Sequence, residues 1–145
     1  MTVPDEVESR IVDKAEYVEG ALTVLSQKQD LDEETYTTNR EQRAIVEREF
    51  QTAIEACIDI AGLILRAEDA GMPETNAGRF VALEEAGVLS AETASRMQKA
   101  AGFRNILTHR YGNEIDDTEV YRHLQNELEW LVTYLREIRE FLGEK

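Results

Sequence analysis

Residues 53–65 read AIEACIDIAGLIL, a run with apolar residues on more than one side of any helix it forms. Its apolar residues continue a stripe through Val46, Phe50, Ala53, Cys57, Ile60 and Ile64, with a second beside it through Ile54, Ile58, Ala61 and Leu65. Spacings of three and four place each stripe along one side of a helix, and two adjacent stripes make a broad buried face. Only a helix surrounded by other helices needs so wide a face. The pattern predicts one long helix from near Glu33 to AGMP at 70–73, where Gly71 can take a left-handed cap and Pro73 cannot continue the helix.

Upstream, Ile11, Ala15, Val18, Leu22 and Leu25 predict a helix from about Pro4 to Gln29, followed by a turn in KQDLDEET at 28–35. Downstream, NAGRFVALEEAGVLS predicts a short helix ended by Gly87, and Ser90 is placed to cap a helix over AETASRMQKAAGFRNILTHRY, residues 91–111. A last helix opens at DDTE, where Asp116 and Glu119 have capping-box spacing. Its seam of Tyr121, Leu124, Leu128, Leu131, Leu135, Ile138 and Leu142 alternates threes and fours. No strand-like alternation competes. The expectation is an all-α protein, an antiparallel helical bundle of four long helices plus one short helix, forming a single domain over 1–145. Trp130, Tyr134 and Phe141 flank the last seam, where they widen the core or meet a second copy; the reading favours a homodimer.

Thirty acidic against sixteen basic side chains give a formal charge of −14, which opposes nonspecific contact with nucleic acid or anionic membrane. Such a balance is also what adaptation to high salt produces, because screening relieves the self-repulsion. The lone Cys57 lies on the apolar face and has no internal disulfide partner. The start MTVPDEVESR has no basic-then-apolar leader and no segment is apolar enough to span a membrane, so the expected location is cytoplasmic.

Against this acidity, the 21 residues between Glu92 and Glu114 contain no acidic side chain and four cations, Arg96, Lys99, Arg104 and Arg110, a local formal charge of +4. A mildly basic helix that pairs with acidic neighbours accounts for this as well as an anion site does. The residue types favour the anion site. Metal-free RNA cleavage needs a base for the 2′-hydroxyl proton, an acid for the leaving 5′-oxygen and a cation for the developing phosphorane charge. His109 suits a proton step and the Arg104 guanidinium fits phosphate oxygens, while Asn105 can hold a phosphate or ribose oxygen and Tyr111 can stack or donate a hydrogen bond. A histidine near a helix end also serves as a C-terminal cap. His123, with no arginine-rich surround, reads as a surface or packing residue.

At about 100° per residue, Arg104 and Tyr111 fall within about 20° of one face, whereas His109 lies about 140° from Arg104. Convergence on one phosphate therefore requires either a helix that loosens near Thr108 or a second copy of the motif across a dimer interface.

RNILTHRY, residues 104–111, has the spacing Arg, four residues, His, any residue, Tyr, and resembles the signature of the HepT-like toxins of the HEPN superfamily. AIEACIDIAGLIL, ALEEAGVLS and GFRNILTHRYGNEID resemble that family in the same order along the chain. The resemblance implies an all-helical homodimer acting as a metal-independent endoribonuclease toxin of a type II toxin–antitoxin system, with no cofactor. It assigns Arg104 and His109 as catalytic, with Asn105 as the polar neighbour that follows the arginine; Asn105 and Arg110 are the expected RNA-binding residues. It also implies an MntA-like nucleotidyltransferase antitoxin that transfers AMP to Tyr111, where added charge and bulk would repel and obstruct RNA. The alternatives are a noncatalytic helical module that binds a nucleotidyltransferase or a nucleotide, and a structural dimer whose motif is a relic.

Overall fold

In the computed structural model, which describes residues 3–143, the helical periods become seven α-helices and a short 3-10 turn. They are α1 (Asp5–Lys28), α2 (Glu33–Thr38), α3 (Arg40–Ala67), α4 (Asn76–Glu85), α5 (Ala91–His109), α6 (Asp117–Asn126) and α7 (Leu128–Phe141), with the 3-10 turn at Gly112–Glu114. The described residues contain no strand, so the chain is all-α. Two expected long helices are each broken once, which changes the expected count of four long and one short.

The first break is at Asn39. Its backbone is extended and its side chain accepts from Gln42 N, so it ends α2 and caps α3 in one step. The second break is at Glu127, where φ −123° and ψ 8° interrupt the last helix. The seam survives this break: Leu124, Leu128, Leu131, Leu135 and Ile138 are buried, with Tyr121 and Leu142 packed at its ends. Splitting the helix lets α6 lie against α2 while α7 lies against α5 and α1.

Cross-helix bonds show the direction of packing. Gln29, at the end of α1, donates to Leu124 O at 2.8 Å, while Glu19, ten residues earlier, meets Arg139 at 3.0 Å, so α1 runs antiparallel to α6 and α7. Likewise Ser90 and Thr93 reach Glu137 whereas Arg96 lies over Trp130, which makes α5 and α7 antiparallel.

The double stripe of α3 forms the centre of the core, with residues from Ala53 to Leu65 buried except Glu55 and Asp59. Cys57 is among the buried residues, and burial pushes its thiol pKa up, so it is a small apolar residue here. Tyr134 is fully buried against Phe80, and its hydroxyl donates to Cys57 O at 2.8 Å, so its one polar atom is satisfied. Phe50 meets Phe103 edge-on with ring centroids 5.3 Å apart, which fixes the middle of α5 on α3. That contact sits one residue before Arg104.

Candidate active site on the motif helix

The helix carrying the motif is fixed at its start. Ser90 caps it by accepting from Thr93 N at 3.2 Å, and Glu137 of α7 accepts from Ser90 N at 2.7 Å and from Thr93 Oγ1 at 2.6 Å. A capped, stapled start sets the rotation of α5, and with it the direction of every motif side chain.

At the other end the helix stays regular through His109. Thr108 Oγ1 donates to Arg104 O at 2.9 Å, and Arg110 N closes the final turn on Ile106 O at 3.0 Å. Arg110 and Tyr111 are then extended, with φ −119° and −155°. Of the two routes to convergence, a helix loosened near Thr108 is not the one taken, since α5 is regular through His109. The expected placement of Tyr111 is corrected: it lies beyond the helix and no longer shares the Arg104 face. The reason is the left-handed Gly112 (φ +64°), which starts a tight turn in which Tyr111 N donates to the Glu114 carboxylate and Glu114 N to Tyr111 O. Tyr111 emerges 80% exposed, the most exposed large apolar-bodied residue described.

Arg104 turns the other way. Its Nε and Nη2 donate to Glu55 Oε1 on α3, at 3.2 and 2.8 Å, and its Nη1 donates to Asn105 Oδ1 at 3.3 Å. Asn105 and His109, one turn apart, are exposed, as is Arg110. The structure thus gathers Arg104 with Asn105 and sets His109 on the outward face; no hydrogen bond or ion pair joins Arg104 to His109 among the described residues.

The basic segment is partly compensated. Arg96 meets Glu92 at 2.6 Å and Arg104 meets Glu55, so pairing with acidic neighbours accounts for two of the four cations. Lys99 and Arg110 instead border a groove of about 400 Å³ between α5 and α6, with Phe103, Ile106, Ile115 and Val120 among its lining and Glu114, Asp116 and Glu119 on its edge.

His123 proves to be a packing residue. Its ring stacks on Phe103 with centroids 4.1 Å apart, and burial together with the Arg122 guanidinium pushes its pKa down to about 4. The neutral ring can carry its proton on Nδ1 and donate it to Glu127 Oε2, a buried oxygen otherwise without a partner. Glu55 is the residue that sequence reasoning missed. It stands on the polar side of α3 like any solvated glutamate, and nothing local marks a partner 49 residues away.

A model of the ribonuclease HepT-like family matches residues 11–138. The chain is 30% identical over 139 residues to the tRNA nuclease HepT of Aphanizomenon flos-aquae, covering 96% of this chain and 91% of that protein. Its fold is similar to a solved toxin–antitoxin structure with AMP-PNP, at TM-score 0.85 and 23% identity, covering 91% of this chain and 98% of the other. It is also similar to the tri-AMPylated Shewanella oneidensis HEPN toxin in complex with MNT antitoxin, at TM-score 0.82 and 24% identity, covering 90% and 97%. Among the described residues no helix is long and apolar enough to cross a membrane.

Proposed function

The chain belongs to the ribonuclease HepT-like family, and on that premise we propose that it is the RNA-cleaving toxin of a toxin–antitoxin pair. The reaction is metal-independent. A base takes the 2′-hydroxyl proton, O2′ attacks phosphorus, and the 5′-oxygen leaves with a proton from an acid. His109 serves one of the proton steps, and Arg104 holds the phosphate oxygens as charge develops on them. Asn105 and Arg110 bind the RNA backbone beside them. One observation carries this reading: the motif arginine is held in a fixed orientation while the motif histidine stands exposed five residues on.

Because α5 is regular through His109, Arg104 and His109 of one chain point about 140° apart, and a homodimer that opposes two motifs supplies the missing convergence. The AMP-PNP and AMPylated complexes among the structural relatives support control by adenylylation. The Tyr111 phenol would attack the α-phosphate of ATP, pyrophosphate would leave, and the added phosphate and adenosine would obstruct RNA entry. The exposure of Tyr111 makes its hydroxyl accessible to a nucleotidyltransferase partner.

The second reading, a noncatalytic module that docks a nucleotidyltransferase, draws on the pairing of Arg96 and Arg104 with carboxylates, which lowers the local positive charge. Cleavage of RNA by the purified protein in a chelator separates the two. The active protein cuts, and His109→Ala loses about a hundredfold or more. An inert wild type favours the docking module, and a mutant that cuts as fast as wild type removes His109 from the mechanism.

A further inference from the structure

We infer that Glu55 of α3 is the positioning residue of the motif arginine, fixing the guanidinium so that one part of it is committed to the protein and the remainder faces phosphate. The inference rests on the reading of Arg104 as the phosphate-holding cation. An unrestrained arginine carries a large rotamer entropy, so one that must meet a phosphate in a single geometry needs a partner that has already restrained it. Glu55 Oε1 supplies that partner, accepting from Arg104 Nε at 3.2 Å and Nη2 at 2.8 Å, while Asn105 Oδ1 accepts from Nη1 at 3.3 Å. Gln51, one turn earlier on α3, donates to the same Oε1 at 3.4 Å and steadies the carboxylate.

A guanidinium has five N–H groups. Three are engaged here, which leaves one N–H on each terminal nitrogen for an incoming phosphate. The pair is neither fully exposed nor sealed, with side-chain exposures of 20% for Arg104 and 35% for Glu55, so it is partly desolvated yet reachable. A carboxylate so near a phosphate site also opposes the anion. Glu55 therefore acts in two opposite senses: its geometry favours the reaction and its charge disfavours binding. The two senses can be separated, because both arginine donors go to one oxygen and the carbonyl oxygen of a glutamine can accept both.

The test compares full-length wild type with Glu55→Gln, Glu55→Ala and Arg104→Ala, measuring kcat and KM for RNA cleavage and the Arg104 Nε–H resonance by NMR. Glu55→Ala is expected to lower kcat about tenfold or more, whereas Glu55→Gln keeps kcat within about threefold of wild type and lowers KM. The Nε–H resonance should stay sharp and protected in wild type and Glu55→Gln and be lost in Glu55→Ala. A Glu55→Ala protein with wild-type kcat beside an inert Arg104→Ala overturns the positioning role, as does a Glu55→Gln protein that falls as far as Glu55→Ala. If wild type cleaves no RNA, the functional reading fails, and the NMR comparison alone decides whether Glu55 holds the guanidinium.

Discussion

Glu47 is half-buried on α3, two turns before Glu55, and its carboxyl pKa is raised by burial first and by the nearby charge of Asp117 second, with Arg43 pulling the other way. The fold thus binds the Glu47 proton more tightly than the unfolded chain does. Its contribution to stability is full below the unfolded pKa, near 4.5, and is lost as pH rises through the higher folded value. Glu47→Gln, neutral at every pH, should therefore melt above wild type at pH 7, with the gap closing as pH falls toward 4.5. Thermal melts across that range check it, and a gap that stays constant would mean that charge at Glu47 is not the cause. At this scale much was legible in advance: Cys57 as core, His123 as a residue outside the motif, at the surface or in packing, and the motif residues by type and spacing. What was not legible is the pairing of Arg104 with Glu55, since a glutamate on the polar side of a helix looks the same in sequence whether it faces water or a guanidinium.

Among the elements, the helix ends do more than the helix interiors to shape the site. α5 stops at His109 because Arg110 and Tyr111 are extended into the turn that Gly112 opens at φ +64°. Gly112→Ala places a side chain in that left-handed conformation at a cost of about 1–2 kcal/mol. The strain is relieved by moving the turn, and the turn carries Tyr111. Peptide mass spectrometry after coexpression with a nucleotidyltransferase antitoxin should show Tyr111 adenylylated in wild type and much less so in Gly112→Ala, with RNA cleavage by the isolated variant changed far less than adenylylation, because Arg104, Asn105 and His109 lie on α5 and only Arg110 leads into the turn. Neutralisation by an antitoxin that leaves Tyr111 unmodified would reject the assignment. The breaks at Asn39 and Glu127 were hidden in different ways. Glu127 lies inside an apolar period, Leu124, Leu128 and Leu131, that continues across it, while Asn39 lies before the α3 stripes begin at Val46, where Tyr36 alone is buried and no period shows a change of direction.

For the whole molecule, two electrostatic effects of salt compete. Counterion release weakens any RNA complex as salt rises. Screening of a protein carrying −14 favours approach of the polyanion, and here it should prevail, because Arg96 and Arg104 are already paired with Glu92 and Glu55 and the remaining local positive charge is small. The cleavage rate at limiting RNA should therefore rise between about 0.05 and about 0.5 M KCl, over which the Debye length shrinks to a few ångströms. A flat or falling profile would show that phosphate contacts, and not the acidic field, control encounter.

The helical character, the seams, the capping residues Ser90 and Asp116, and the motif with its spacing can all be read from the order of residues along the chain. All of these are local, set by a 3.6-residue repeat and by side chains bonding to backbone two or three positions away. Packing set the rest: where two expected long helices break, that Tyr111 leaves the helix, that Arg104 is held by Glu55, and that His123 stacks on Phe103. Those depend on which faces meet after the helices pack, and a period fixes the face a residue occupies without fixing what lies opposite it.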